Sequence, residues 1–140
     1  MFSISVFSRI GLGLFLVAAL PGADAAAERH WQDPDSPFRI GEGYAEVPAT
    51  CETIADWIEL APEIDARFSF SIQGELVASD WDGALAYLVM CNEPGIQIMC
   101  VTYSNEGHEV GQEVFFAGGW SRVDERKVLL DPCLATTVKN

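Results

Sequence analysis

From residue 67 onward, apolar and polar positions alternate. Phe68, Phe70 and Ile72 interleave with Ser69, Ser71 and Gln73, the period of a half-buried strand. Leu76 and Ala78 carry the alternation past Gly74, where a bulge or bend is expected. "SDWDG" (Ser79–Gly83) reads as a turn. Ala84–Cys91 and Ile96–Ser104 read as two strands joined by the turn Asn92–Gly95. After the polar connector Asn105–Gln112 comes Glu113–Trp120, an apolar strand holding two glycines. Ser121–Arg126 turns into the last strand, Lys127–Asp131, which Pro132 and Cys133 close. Five such strands with turn signals at short spacing predict a mainly β domain, a five-stranded antiparallel barrel or a strongly curved sheet.

The period differs upstream. Cys51, Ile54, Ile58 and Ala61 recur at three- and four-residue steps, one helical stripe. Thr50 suits the N-cap, Glu52 favours the positive helix end, and Pro62 stops the run. A helix of about three turns is too short to persist alone, so packing must hold it. Residues 26–48 show no clean period and read as an irregular arm whose Trp31, Phe38 and Tyr44 are candidates to dock on the body. Residues 49–135 form one helix-plus-barrel domain, and 136–140 are a frayed tail.

Residues 1–25 have the pattern of a secretory signal. Arg9 precedes the eleven-residue apolar run Ile10–Leu20, Pro21-Gly22 breaks it, and Ala23-Asp24-Ala25 offers a cleavage site, with Ala27 as a second option. Eleven residues do not cross a bilayer core as a helix. A soluble periplasmic or secreted protein is expected. Arg9 and Asp24 cancel, so the net charge of −13 falls on the remaining chain. That sign opposes nucleic acid and anionic membranes and permits a cationic partner. It also simply favours solubility.

The pattern of Glu113–Trp120 resembles the fourth strand of OB-fold domains, with Gly111 entering the strand and Gly118 letting it curl. "GELVAS" (Gly74–Ser79) resembles the glycine-bent first strand of that fold. The resemblance covers residues 67–131 and is similar to the layout of some small exported bacterial OB-fold proteins. It implies an OB-like barrel. Two features depart from the family: the connector before the fourth strand is too short for a full helix, and a helix precedes the barrel instead. A helix followed by a curved antiparallel sheet also resembles a cystatin-like α+β arrangement, the alternative fold.

Cys51, Cys91, Cys100 and Cys133 are the four cysteines, and in an exported chain they are expected to form two disulfides. Redox chemistry is disfavoured because Cys91 and Cys100 are nine residues apart among strands, not two thiols at a helix start. Zinc is disfavoured because no two cysteines have chelating spacing, and the two histidines, His30 and His108, lie far apart. No metal or cofactor is expected. A two-residue turn at Pro94-Gly95 places Cys91 opposite Ile98 and Cys100 on the same face. The nested pairing Cys91–Cys100 inside Cys51–Cys133 follows from that register. The other two pairings stay open.

Asp80 and Asp82 match the first positions of a calcium loop, but Cys91 stands where its twelfth, acidic position would be. An Asx-type turn is the preferred reading. His108, between Glu106 and Glu109, has only Ser104 as a nearby hydroxyl and no strained-turn signature. No catalytic residue is assigned. The better lead is aromatic: Trp81, Tyr103 and Trp120 fall at strand ends beside Asp80 and Asp82, a composition suited to a peptide, a cationic group or a glycan. Against this stands the reading that the rings cap the barrel ends. The expected function is a non-catalytic binding or accessory module for an exported protein, peptide or small ligand. A secreted enzyme inhibitor acting through its loops is the alternative, and a hydrolase using His108 comes third.

Overall fold

The computed structural model describes residues 30–92, 94–104 and 107–139. The expected signal segment, residues 1–25, lies outside them, as does Glu106. Among the described residues the elements run β1 (Phe38–Ile40), α1 (Ile54–Glu59), β2 (Phe68–Trp81), β3 (Ala86–Met90), β4 (Gln97–Thr102), β5 (Glu113–Asp124) and β6 (Lys127–Thr137). The sheet order is β1-β2-β3-β4-β6-β5, and β5 pairs back with β2. β2 to β6 therefore close a five-stranded barrel.

The expectation of a wholly antiparallel barrel is corrected. β6 runs parallel to β4, with Ile98 beside Val128 and Cys100 beside Leu130. The reason is connectivity. The segment after β4 crosses to the free side of β2, where Leu76 exchanges backbone hydrogen bonds with Gly111 and Gln112. β5 then lies antiparallel to β2, and its hairpin partner β6 returns along β4 in β4's own direction.

Inward residues fill the barrel. Phe70, Ile72, Leu76, Leu88, Met90, Ile98, Val114, Phe116, Val128 and Leu130 are all buried. Each contributes roughly 1.5–3 kcal/mol by leaving water. The long β2 serves two neighbours because its first half faces β5 and its second half faces β3. The irregularity expected at Gly74 lies instead between Leu76 and Ala78, where β2 has one residue more than β3. Gly74 has another use. A Cβ there would stand 3.0 Å from the Met90 sulfur and 3.1 Å from Cys51 Sγ. Ser79, Asp80 and Trp81 belong to β2, and the turn is tighter than expected, spanning residues 82–85.

β6 also extends past the expected end at Asp131, through Thr137, so it takes in residues 136 and 137 of the expected tail. Between Leu130 and Cys133 it takes three steps while β5 takes two, from Trp120 to Gly118. This bulge restores the inward phase at Cys133 and Ala135. It crowds the opposite strand: a Cβ at Gly118 would meet the Pro132 carbonyl oxygen at 2.6 Å, and one at Gly119 the Asp131 oxygen at 2.8 Å.

The arm is less irregular than its sequence suggests. β1 lies within it, pairing Phe38 with Phe70 and Ile40 with Phe68. Phe38 docks in the core, Trp31 packs at its edge, and Tyr44 stays exposed with its ring 6.3 Å from that of Phe115. The helix is six residues long, not three turns. Its first backbone bond runs from Ile54 N–H to the Thr50 carbonyl at 3.0 Å, and Thr50 N–H donates to Thr53 Oγ1 at 2.9 Å. Ile54, Trp57 and Ile58 enter the core cluster.

The disulfides are Cys51–Cys91 and Cys100–Cys133, so the nested pairing is corrected. Met90, not Cys91, pairs with Ile98. That one-residue shift in register puts Cys91 and Cys100 on opposite faces. Cys100 points inward with Leu88 and Ile98. Cys91, with a left-handed φ of 73°, turns toward Cys51. Inside the barrel Cys100 meets Cys133 just past the β6 bulge. With sequence separations of 40 and 33 residues, each bridge contributes about 4 kcal/mol in the chain-entropy model.

Two outcomes test this fold. Cyanogen bromide cleavage after Met99 combined with trypsin, without reductant, should join the Cys51 peptide to that of Cys91, and the Cys100 peptide to that of Cys133. A Cys51–Cys133 fragment would contradict the pairing. Gly118→Ala should lower stability in urea unfolding by about 1–3 kcal/mol, because neither backbone can recede freely from the added carbon.

Candidate functional site

The β2–β3 turn is built on one side chain. Asp82 Oδ1 accepts the backbone N–H groups of Ala84 at 2.9 Å and Leu85 at 2.7 Å. Its own N–H donates to the Leu85 carbonyl at 3.1 Å, and Gly83 takes the φ of 100° that the reversal needs. The other carboxylate oxygen, Oδ2, accepts the Tyr87 hydroxyl at 3.0 Å. This is the Asx-type turn expected from the sequence, with a tyrosine added that the sequence reading missed. The spacing of Asp82 and Tyr87 gave no signal, because they meet only across the hairpin.

These bonds fix the electrostatics. The Leu85 and Ala84 N–H groups, then the Tyr87 hydroxyl, hold Asp82 below its ordinary 3.8. Asp82 in turn raises the Tyr87 phenol above its ordinary 10.0, first through the hydrogen bond, with the charges of Asp82, Asp80 and Asp131 adding to it. Three carboxylates thus act on one phenol, and Asp82 touches it.

The strand registers explain that grouping. Asp80 pairs with Tyr87, and Tyr87 with Val101. Asp131 follows Leu130, which is beside Cys100, so it lies level with Val101. Alternation sends Asp80, Tyr87 and Asp131 of this row outward, since the neighbouring Leu88, Cys100 and Leu130 point into the core, while Val101 between them is covered. One pleat away, Ala78, Val89, Met99 and Leu129 form a second outward row, ending beside Ser121 on β5. Met99 is 38% exposed.

Of the residues singled out from sequence, Asp80, Trp81 and Asp82 share the β2–β3 end, with Trp81 opposite Ala86 and 40% exposed. Tyr103 joins them from the end of β4, one residue past Thr102 in the same ladder, and is 74% exposed. Trp120 does not join them. Its ring lies 5.2 Å from Phe38, 4.9 Å from Phe70 and 6.3 Å from Phe68, where it caps the core. For Trp120 the barrel-cap reading holds. His108 Nδ1 lies 3.1 Å from Thr137 Oγ1, which ties the connector to the end of β6.

Among the described residues, two of the open grooves lie elsewhere. One, of about 450 Å³, runs between the Gly41–Tyr44 loop and the strip formed by Gly118, Gly119 and Pro132. The other, of about 480 Å³, borders the Cys51–Cys91 bridge and the carboxylate-bearing Glu52, Glu75 and Glu113. Among the described residues no group of three or more His, Cys, Asp or Glu side chains is placed to hold a metal ion. No helix there is long and apolar enough to cross a membrane. All four cysteines are paired, as an oxidising compartment allows.

A scan against protein-family models finds no match for the chain, and a search of curated proteins finds none.

The Asp82–Tyr87 contact sets two titrations of opposite sign. The turn's stabilisation by Asp82 is full above 3.8 and is lost as pH falls through the lower midpoint of the folded protein. That from Tyr87 is full below 10.0 and is lost as pH rises through its higher folded midpoint. By carboxyl NMR, Tyr87→Phe should move the Asp82 midpoint upward yet leave it below 3.8, since the two backbone donors remain. An unchanged midpoint would deny the hydrogen bond.

Proposed function

We propose that the protein is an exported, non-catalytic binding or accessory module on an OB-like barrel. The barrel reading is supported by the strand order, β2-β3-β4-β6-β5 closing on β2 with β4 and β6 parallel. The expected resemblance covers the same strands. Export is supported by the signal-like segment and by the fully paired cysteines.

The observation that carries the binding role is the exposed pair Trp81 and Tyr103 at one end of a ribbon whose turn is fixed by Asp82, with Met99 exposed on its outer face. Large exposed side chains on a hydrogen-bonded ribbon suit the anchoring of a partner. The net charge of −13 opposes nucleic acid as that partner. A second reading, an inhibitor that inserts the Asp82–Leu85 turn into an enzyme cleft, draws on the rigidity of the same turn.

The test is affinity capture from a periplasmic extract. The native protein should retain a partner that a folded Trp81→Ala/Tyr103→Ala variant loses. Equal recovery by both, or none by either, overturns the module reading at this site. A captured enzyme whose activity falls on binding selects the inhibitor form.

A further inference from the structure

We infer that the outer face of β3, β4 and β6 seats a basic amphipathic segment of a partner polypeptide. This deepens the binding-module reading and rests on it. The first argument is the sheet face itself. Ala78, Val89, Met99 and Leu129 form an unbroken apolar row across four strands. At the usual strand spacing the row is roughly 14 Å wide. A helix of about ten residues, presenting apolar side chains at i, i+4 and i+7, covers that width.

The second argument is charge. Along one flank of the apolar row stand Asp80 and Asp131, with Asp82 beyond Asp80 at the turn. Along the other flank, Gln97 and Lys127 face each other in the ladder, and Lys127 pairs with Asp124 across the β5–β6 turn. Asp124 offsets Lys127 on that side, so the excess acidic charge lies on the first flank. A segment with apolar side chains on the row and Lys or Arg along one edge meets three carboxylates in one orientation and the balanced Asp124 and Lys127 in the reverse. The face thus selects both the sign and the direction of its occupant. An acidic or neutral segment gains nothing from the rim.

The experiment uses an 18-residue amphipathic helix of leucine and lysine, and its leucine and glutamate counterpart, titrated into the native protein by amide NMR. The lysine peptide should shift Tyr87, Val89, Met99 and Leu129 saturably, and the glutamate peptide should not. Asp80→Asn/Asp131→Asn should weaken the lysine peptide roughly three- to ten-fold at low salt, as rim charges do. Met99→Lys should abolish the shifts while the rest of the spectrum stays folded. Equal binding of the two peptides overturns the inference. So do shifts centred on the Gly118–Gly119 groove or the Glu52 groove, and unchanged affinity in the aspartate variant. If capture at Trp81 and Tyr103 succeeds while the lysine peptide fails, the basic occupant is wrong and the module reading stands. If capture also fails, both fall.

Discussion

The barrel keeps its inner wall along the whole of β6 because that strand has one residue more than the strand opposite it. Before Asp131 it lies between β4 and β5. After Pro132 it follows β5 alone. Without the extra residue, Cys133 and Ala135 would point outward, and the core would lose one wall. The bulge demands space, and Gly118 and Gly119 provide it by having no side chain. The Cys100–Cys133 bridge then fastens the place where β6 leaves β4. Bulge, glycine pair and disulfide form one device.

A second constraint acts at the other end of β2. Asp82 closes the turn and also receives Tyr87, so the turn and the outer face of β3 are held by one carboxylate. The backbone that presents the exposed Trp81 is set by this hydrogen-bonded hairpin. The covered aromatic residues are the contrary case: Trp120 sits against Phe38, Phe68 and Phe70.

Local rules made much of the fold legible. Alternation at Phe68–Ile72 revealed β2, and the turn residues at 79–83 and 92–95 revealed the hairpins. What stayed hidden was non-local. No period distinguishes a strand that returns parallel from one that returns antiparallel, so the β4–β6 pairing could not be read. The pairing of Cys91 depended on a single step of register, and one step reverses a side chain. β1 was obscured by prolines, glycines and acids around a three-residue strand that forms only against β2. The Asp82 turn was legible because it is local. The Tyr87 contact was not, because it forms only across the hairpin, and the row from Val89 to Leu129 was not, because it arises from the stacking of three strands.

The loops closed by the two disulfides follow one another along the chain: 51 to 91, then 100 to 133. Neither encloses the other. In a chain threaded N-terminus first into an oxidising space, each cysteine's native partner is therefore the next one to emerge, or the one just before it. Joining thiols in order of arrival yields the native set with no reshuffling. A nested arrangement would have made the first encounter a wrong one, leaving Cys51 to wait for Cys133 while Cys91 passed by.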